Sequence, residues 1–262
     1  MMPSSARSAP LVVGVSLKMY FTHTQTLSWA TAVADIARRH PAVASGAVEL
    51  FVAPSFPALV PVRDVLAGSG VRLAAQDLAA SDEGASTGEV SGAELREIGV
   101  DLVEIGHAER RSRFHETDDV VARKVHAAFR HHLEPLVCVG ETSRASRAEA
   151  VGEVTAQLDR ALAVAEEAGS TGRVTVAYEP VWVIGAAEPA PDDHVVGVLE
   201  GVERFLDGRP AFAGSRVVYG GSAGPGLLTR GAGRIGGLFL GRFAHDPAAV
   251  RAVLDEAAAL TG

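Results

Sequence analysis

Eight short apolar runs recur along this chain, each followed by a longer stretch with helical spacing, and this alternation restricts the fold more than any other feature. The runs read as strands at 11–15, 49–53, 72–76, 101–105, 136–139, 174–178, 216–219 and 237–240. Most are continuously apolar, the pattern of parallel strands covered on both faces. Between them, apolar residues fall three or four apart. Val151, Val154, Leu158, Leu162 and Ala165 mark one such face, stopped by Gly169; Val250, Val253, Leu254 and Ala257 mark the last. Eight β-α units in 262 residues predict an α/β protein with a single (β/α)8 barrel over 11–262. A doubly wound open sheet is the rival architecture. No linker or shift in composition marks a second domain.

With 47% hydrophobic residues the chain can bury a large core, yet no apolar stretch approaches the ~20 residues of a membrane span. Residues 1–10 lack the apolar run of a signal peptide and read as a disordered tail. A single cysteine, Cys138, excludes an internal disulfide framework and a thiolate metal cluster. The expected location is the cytoplasm. A net charge of −8 argues against nucleic acid or an anionic membrane as partner. It leaves room for a small anionic substrate, because a few oriented N–H groups and one lysine hold a phosphate inside an acidic protein.

In such a barrel the chemistry sits at the C-terminal ends of the strands. The run Val-Thr-Val-Ala-Tyr-Glu-Pro-Val-Trp-Val-Ile-Gly at 174–185 ends its strand on Glu179, next to a loop rich in Gly, Ala and Pro. A carboxylate fixed there, beside a loop able to close over it, has the placement of a general base. The alternative is a surface charge or salt-bridge partner. The first strand leads into Lys18, which reaches the barrel mouth unless it snorkels to the surface. After the fourth strand comes Glu-Ile-Gly-His-Ala-Glu-Arg-Arg at 104–111. His107 there suits polarising a carbonyl or moving a proton between oxygens, against a purely structural role. Glu109, Arg110 and Arg111 read either as a solvated charge run or as an ion-pair network that positions Lys18. Glycine-rich turns at 219–226 and 240–244 follow the last two strands and offer bare backbone N–H groups to a phosphate. The match to a dinucleotide fingerprint at 231–236 precedes a strand and places no helix N-terminus on a pyrophosphate.

Six segments in order carry a resemblance to the triosephosphate isomerase family: Ser-Leu-Lys-Met at 16–19, Gly-Ala-Ser-Thr-Gly-Glu at 84–89, Gly-His-Ala-Glu-Arg-Arg at 106–111, Cys-Val-Gly-Glu at 138–141, Tyr-Glu-Pro-Val-Trp-Val-Ile-Gly at 178–185 and Tyr-Gly-Gly-Ser at 219–222. The resemblance implies Glu179 as the base that takes a proton from carbon, His107 as a neutral electrophile, Lys18 as the cation that steadies an enediolate, and Glu109 as the carboxylate beside that lysine. It implies a phosphate clamp from Gly185, Ser222 and Gly241. Residues 180–190 become a lid, with Tyr219 and Ser222 as its latch. It also implies a reaction without cofactor or metal, and a homodimer in which Thr87 of one copy approaches Lys18 and Glu109 of the other. Ser86 stands in that loop where a larger apolar residue is common in the family.

Departures from the family pattern bear on the substrate. Ser16 stands where Asn is usual, Arg242 where a glycine is usual, Ala108 where Ser is usual, and the lid tip reads Gly-Ala-Ala at 185–187. Ser16 shortens a polar side chain toward the ligand. Arg242 adds bulk, charge and fixed donors that suit an extra hydroxyl. Both traits, with Gly-Leu-Phe-Leu-Gly-Arg at 237–242, are similar to relatives that isomerise erythrulose phosphates. The expected activity is therefore isomerisation of a four-carbon ketose phosphate. The alternatives are ordinary triose phosphate isomerisation and a barrel that binds phosphometabolites without turning them over.

Overall fold

The computed structural model describes residues 9–184 and 189–261. Its strands are β1 Leu11–Ser16, β2 Val48–Ala53, β3 Arg72–Ala75, β4 Leu102–Ile105, β5 Glu134–Val139, β6 Thr175–Tyr178, β7 Arg216–Tyr219 and β8 Gly237–Leu240. Each pairs in parallel with the next, and β8 returns to β1, so the sheet closes as a single eight-stranded (β/α)8 barrel. The expected barrel is thereby borne out and the rival open sheet excluded, and the strand bounds differ from expectation by at most two residues. Of the expected tail at 1–10, only Ala9 and Pro10 fall within the described residues. No helix among the described residues is long and apolar enough to cross a membrane.

Strand pleating sends successive side chains to opposite faces, which sorts each strand into an inward and an outward set. Leu11, Val13 and Val15 join the layer between strands and helices, packing with Trp29, Val33 and Val253. Val12, Phe51, Ala53, Ala74, Leu102, Leu136, Cys138, Ala177, Val218 and Phe239 fill the barrel interior. That phase fixes what lies at the top of the interior. Ser16 continues the inward series from Val12, Glu104 follows Leu102, and Glu179 follows Ala177 by two residues. The helices begin on side-chain caps: the Thr22 hydroxyl accepts from the Gln25 N–H ahead of helix His23–Arg39, and Ser146 does the same for Glu149 ahead of helix Arg147–Glu167.

Gly14 faces inward between Phe51 and Phe239, its register partners on β2 and β8, whose rings lie 5.8 Å apart. A Cβ at Gly14 would stand 2.1 Å from Cζ of Phe51, so the glycine makes room for the barrel's largest interior rings. Gly14→Ala is expected to cost about 1–3 kcal/mol by overpacking, which lowers Tm by roughly 2–4 °C per kcal/mol in a domain of this length. An unchanged thermal unfolding curve would show that Phe51 swings aside freely.

Candidate active site

Four of the side chains expected at the mouth come together on the ends of β1, β4 and β6. Lys18 has a left-handed backbone, φ 49°, and its carbonyl oxygen accepts a hydrogen bond from Gln76 Nε2 at 3.1 Å. Its Nζ donates to Oε1 of Glu109 at 2.9 Å. Burial alone would lower the Lys18 pKa, but the Glu109 hydrogen bond and the charges of Glu109, Glu179 and Glu104 outweigh it and raise the pKa.

His107 caps the N-terminus of helix Ala108–Arg113, where its Nδ1 accepts the backbone N–H of Glu109 at 3.1 Å. A nitrogen that accepts carries no proton, so the neutral ring holds its proton on Nε2. That Nε2 lies 3.4 Å from Oε2 of Glu179 and 4.0 Å from Oε1 of Glu104. Burial and the nearby Lys18 charge push the His107 pKa down to about 4, so the ring is uncharged at neutral pH. Glu109 goes the other way. Burial opposes its ionisation, but the Lys18 hydrogen bond and charge prevail and lower its pKa.

Glu179 is buried beside the Cys138 thiol, and its Oε2 makes no hydrogen bond among the described residues. Burial, followed by the charge of Glu104, pushes its pKa up to about 8. A Cβ on Gly220 would lie 2.6 Å from Oε1 of Glu179, so this glycine leaves the space the carboxylate occupies. The arrangement sets a desolvated carboxylate, a neutral N–H donor and a paired ammonium around one volume. These are the parts needed to move a proton off carbon next to a carbonyl and to hold the resulting oxyanion.

Other expected residues take less central positions. Ser16 is buried and its hydroxyl donates to Oε2 of Glu104 at 2.9 Å. Ser222 has a left-handed backbone, φ 45°, and its Oγ lies 3.5 Å from the carbonyl oxygen of Val183 at the stem of the expected lid. Tyr219 is buried at the end of β7, and its hydroxyl finds no hydrogen-bond partner among the described residues. Gly241 follows β8, Arg242 is exposed beyond it, and Thr87 is exposed between β3 and helix Gly92–Glu97. Gly185 and the lid tip lie outside the described residues. Among the described residues no group of three or more His, Cys, Asp or Glu side chains has a metal-holding arrangement.

The charge run after His107 divides. Glu109 pairs with Lys18, Arg110 pairs with Asp77 and Glu116, and Arg111 pairs with Asp118. Sequence reasoning assigned no role to Glu104 or Glu141. The buried Glu141 accepts from Trp182 Nε1 at 2.7 Å and from the Tyr178 hydroxyl at 3.1 Å, which ties down the chain just past Glu179. The Cys-Val-Gly-Glu segment at 138–141 was the signal for it.

A carboxyl whose folded pKa is raised holds its proton more tightly in the folded state. Its cost to stability is absent below the ordinary value of 4.5 and grows until pH passes the folded value, about 8 for Glu179. Glu179→Gln removes that cost. Its Tm is expected to exceed that of the unmodified protein by at least about 2–4 °C above pH 8, with the gap closing toward pH 4.5. A gap independent of pH would show that Glu179 is ionised at little cost.

Comparison with known proteins agrees with the barrel. Residues 11–257 match the family model for triosephosphate isomerase. The chain is 48% identical to an L-erythrulose-1-phosphate isomerase of Pectobacterium atrosepticum, over 97% of this chain and 98% of that one. It is 41% identical to an L-erythrulose-1-phosphate isomerase of Rhizobium etli, over 88% of this chain and 86% of the relative. A triosephosphate isomerase of Carboxydothermus hydrogenoformans is 39% identical, over 82% and 85% of the two chains. With a family model spanning all eight strands and relatives aligned along nearly the full length, this chain belongs to the triosephosphate isomerase family.

Proposed function

We propose that this protein isomerises L-erythrulose 1-phosphate by proton transfer through an enediolate. The reaction type rests on the approach of Glu179 Oε2 to His107 Nε2, 3.4 Å, inside a buried mouth that also holds Lys18. The substrate rests on the two L-erythrulose-1-phosphate isomerases at 48% and 41% identity. In that ketose the carbonyl is at C2 and a hydroxyl at C3. Glu179 takes the proton from C3, and the electrons of that C–H bond form the C2–C3 double bond while the C2 oxygen becomes an oxyanion. Lys18 and the Nε2–H of His107 stabilise that oxyanion. His107 exchanges protons between the C2 and C3 oxygens, and Glu179 returns its proton to C2. The carbonyl then stands at C3, which gives erythrulose 4-phosphate with no atom gained or lost and no cofactor or metal involved.

The phosphate end is assigned to Gly185, Ser222 and Gly241, with Arg242 adding positive charge at that rim and Tyr219 with Ser222 latching the lid. Removing Glu179 as base in Glu179→Gln is expected to lower kcat by about 10²–10⁴-fold while the fold persists. Proton–deuteron exchange at C3 in heavy water reads the same step. Near-normal turnover in this variant would assign the proton to another group. The likeness to a triosephosphate isomerase at 39% identity favours a second reading, interconversion of glyceraldehyde 3-phosphate and dihydroxyacetone phosphate. Comparing kcat/KM on triose and tetrulose phosphates decides between them.

The same reading includes a homodimer in the cytoplasm, where charged sugar phosphates are retained. Thr87 is exposed on its loop and is assigned to reach Lys18 and Glu109 of a second copy. Light scattering at assay concentration is expected to give twice the chain mass of 27.1 kDa. A fully active monomer would overturn this assembly.

A further inference from the structure

Glu104 is a charged residue in the interior of a barrel strand, and the proton transfer described above does not use it. It follows the inward-facing Leu102 by two residues and is only 4% exposed. Carboxyl groups are rarely buried to this degree without partners that justify them. One oxygen, Oε2, accepts from the Ser16 hydroxyl at 2.9 Å. The other, Oε1, stands 4.0 Å from His107 Nε2, on the side of the reacting groups. An apolar pair at 16 and 104 would fill the barrel at lower cost, so packing alone does not account for Ser16 and Glu104.

The order of strands around the barrel says what lies near that oxygen. The phosphate is assigned to the turns after β7 and β8, and β4 stands four strands from β8 in a ring of eight, across the mouth. A substrate with its phosphate at β7 and β8 and its reacting carbons between Glu179 and His107 points its other end toward β4. In L-erythrulose 1-phosphate that end is a hydroxymethyl group; in dihydroxyacetone phosphate a hydrogen takes its place. Resting on the functional reading above, we propose that Glu104, oriented by Ser16, binds the hydroxymethyl group remote from the phosphate and so selects four-carbon over three-carbon substrates. Burial, which pushes the Glu104 pKa up to about 7 against the Ser16 hydrogen bond and the Lys18 charge, suits a carboxyl able either to accept or to donate to a hydroxyl. A three-carbon substrate leaves this buried group unmet, and a site built around a hydroxyl discriminates against the analogue that lacks it. Arg242, exposed on the phosphate rim, is poorly placed for this task.

The test measures kcat/KM for L-erythrulose 1-phosphate and for dihydroxyacetone phosphate in the unmodified protein, Glu104→Leu, Glu104→Gln and Ser16→Ala. Where triose turnover is too slow, the inhibition constant of dihydroxyacetone phosphate replaces it. Glu104→Leu should lose about 10- to 100-fold on the tetrulose and less than about 3-fold on the triose. Glu104→Gln, which keeps a hydrogen-bonding head, should recover most of that loss. Ser16→Ala should shift the ratio in the same direction by less, and it carries the test if Glu104→Leu does not fold. Equal losses on both substrates, or none on either, would overturn the role of Glu104. An unmodified protein inert toward the tetrulose would instead overturn the functional reading itself.

Discussion

The Lys18 ammonium acts on four neighbouring ionisable groups at once, and the state of the mouth depends on it. It lowers the pKa of Glu109 through a hydrogen bond and its charge, and it opposes the burial that raises Glu104 and Glu179. It also works with burial to keep His107 neutral. Three carboxyl groups crowded into one desolvated volume would otherwise hold their protons more tightly still, because like charges at low dielectric cannot all ionise. The lysine is held there at a cost: a left-handed backbone in a side-chain-bearing residue stores about 1–3 kcal/mol and persists only when its surroundings enforce it. Gln76 is one such restraint, since its amide bridges the carbonyl oxygens of Lys18 and Ala53.

Barrel closure supplies the geometry within which that charge acts. Because pleating fixes the inward phase, Ser16, Glu104 and Glu179 reach the interior from strands that are far apart in sequence. The acidic chain thus places one ammonium, Lys18, and the neutral N–H of His107 at the mouth of the barrel. Electrostatic interactions there are stronger than the same pairs would be at the surface. A net charge of −8 is therefore compatible with an anionic substrate.

The barrel was legible because the strands are covered on both faces and so stand out as unbroken apolar runs. Even β5, which begins at Glu134 rather than at the first apolar residue Leu136, differs only because Glu134 is buried among Arg72, Arg173 and Thr175. Lys18, His107, Glu109 and Glu179 were legible as polar residues just past those runs, and the structure brings them together. Glu104 was hidden by its own position. A carboxylate near a strand end looks like the end of the run, and its partner Ser16 is 88 residues away, so no local spacing reveals the pair. The network that joins Lys124 to Asp77 and Glu116 was hidden for the same reason, since its members converge from separate loops and a helix.

Glu141 ties down the chain around Glu179 from both sides. Trp182 lies three residues past Glu179 and His194 lies on the helix Asp192–Asp207, yet both reach the same buried carboxylate, at 2.7 and 3.4 Å. Tyr178, the last residue of β6, joins them through its hydroxyl. The backbone of Glu179 is gripped as well: its N–H donates to the carbonyl oxygen of Val139 at 2.8 Å, and the N–H of Val181 donates to that of Glu141 at 2.9 Å. These bonds hold the backbone on both sides of Glu179, and its carboxylate stands 3.4 Å from His107 Nε2. A carboxylate that is to meet one C–H bond needs such backbone support, because an ångström of misplacement costs orders of magnitude in rate.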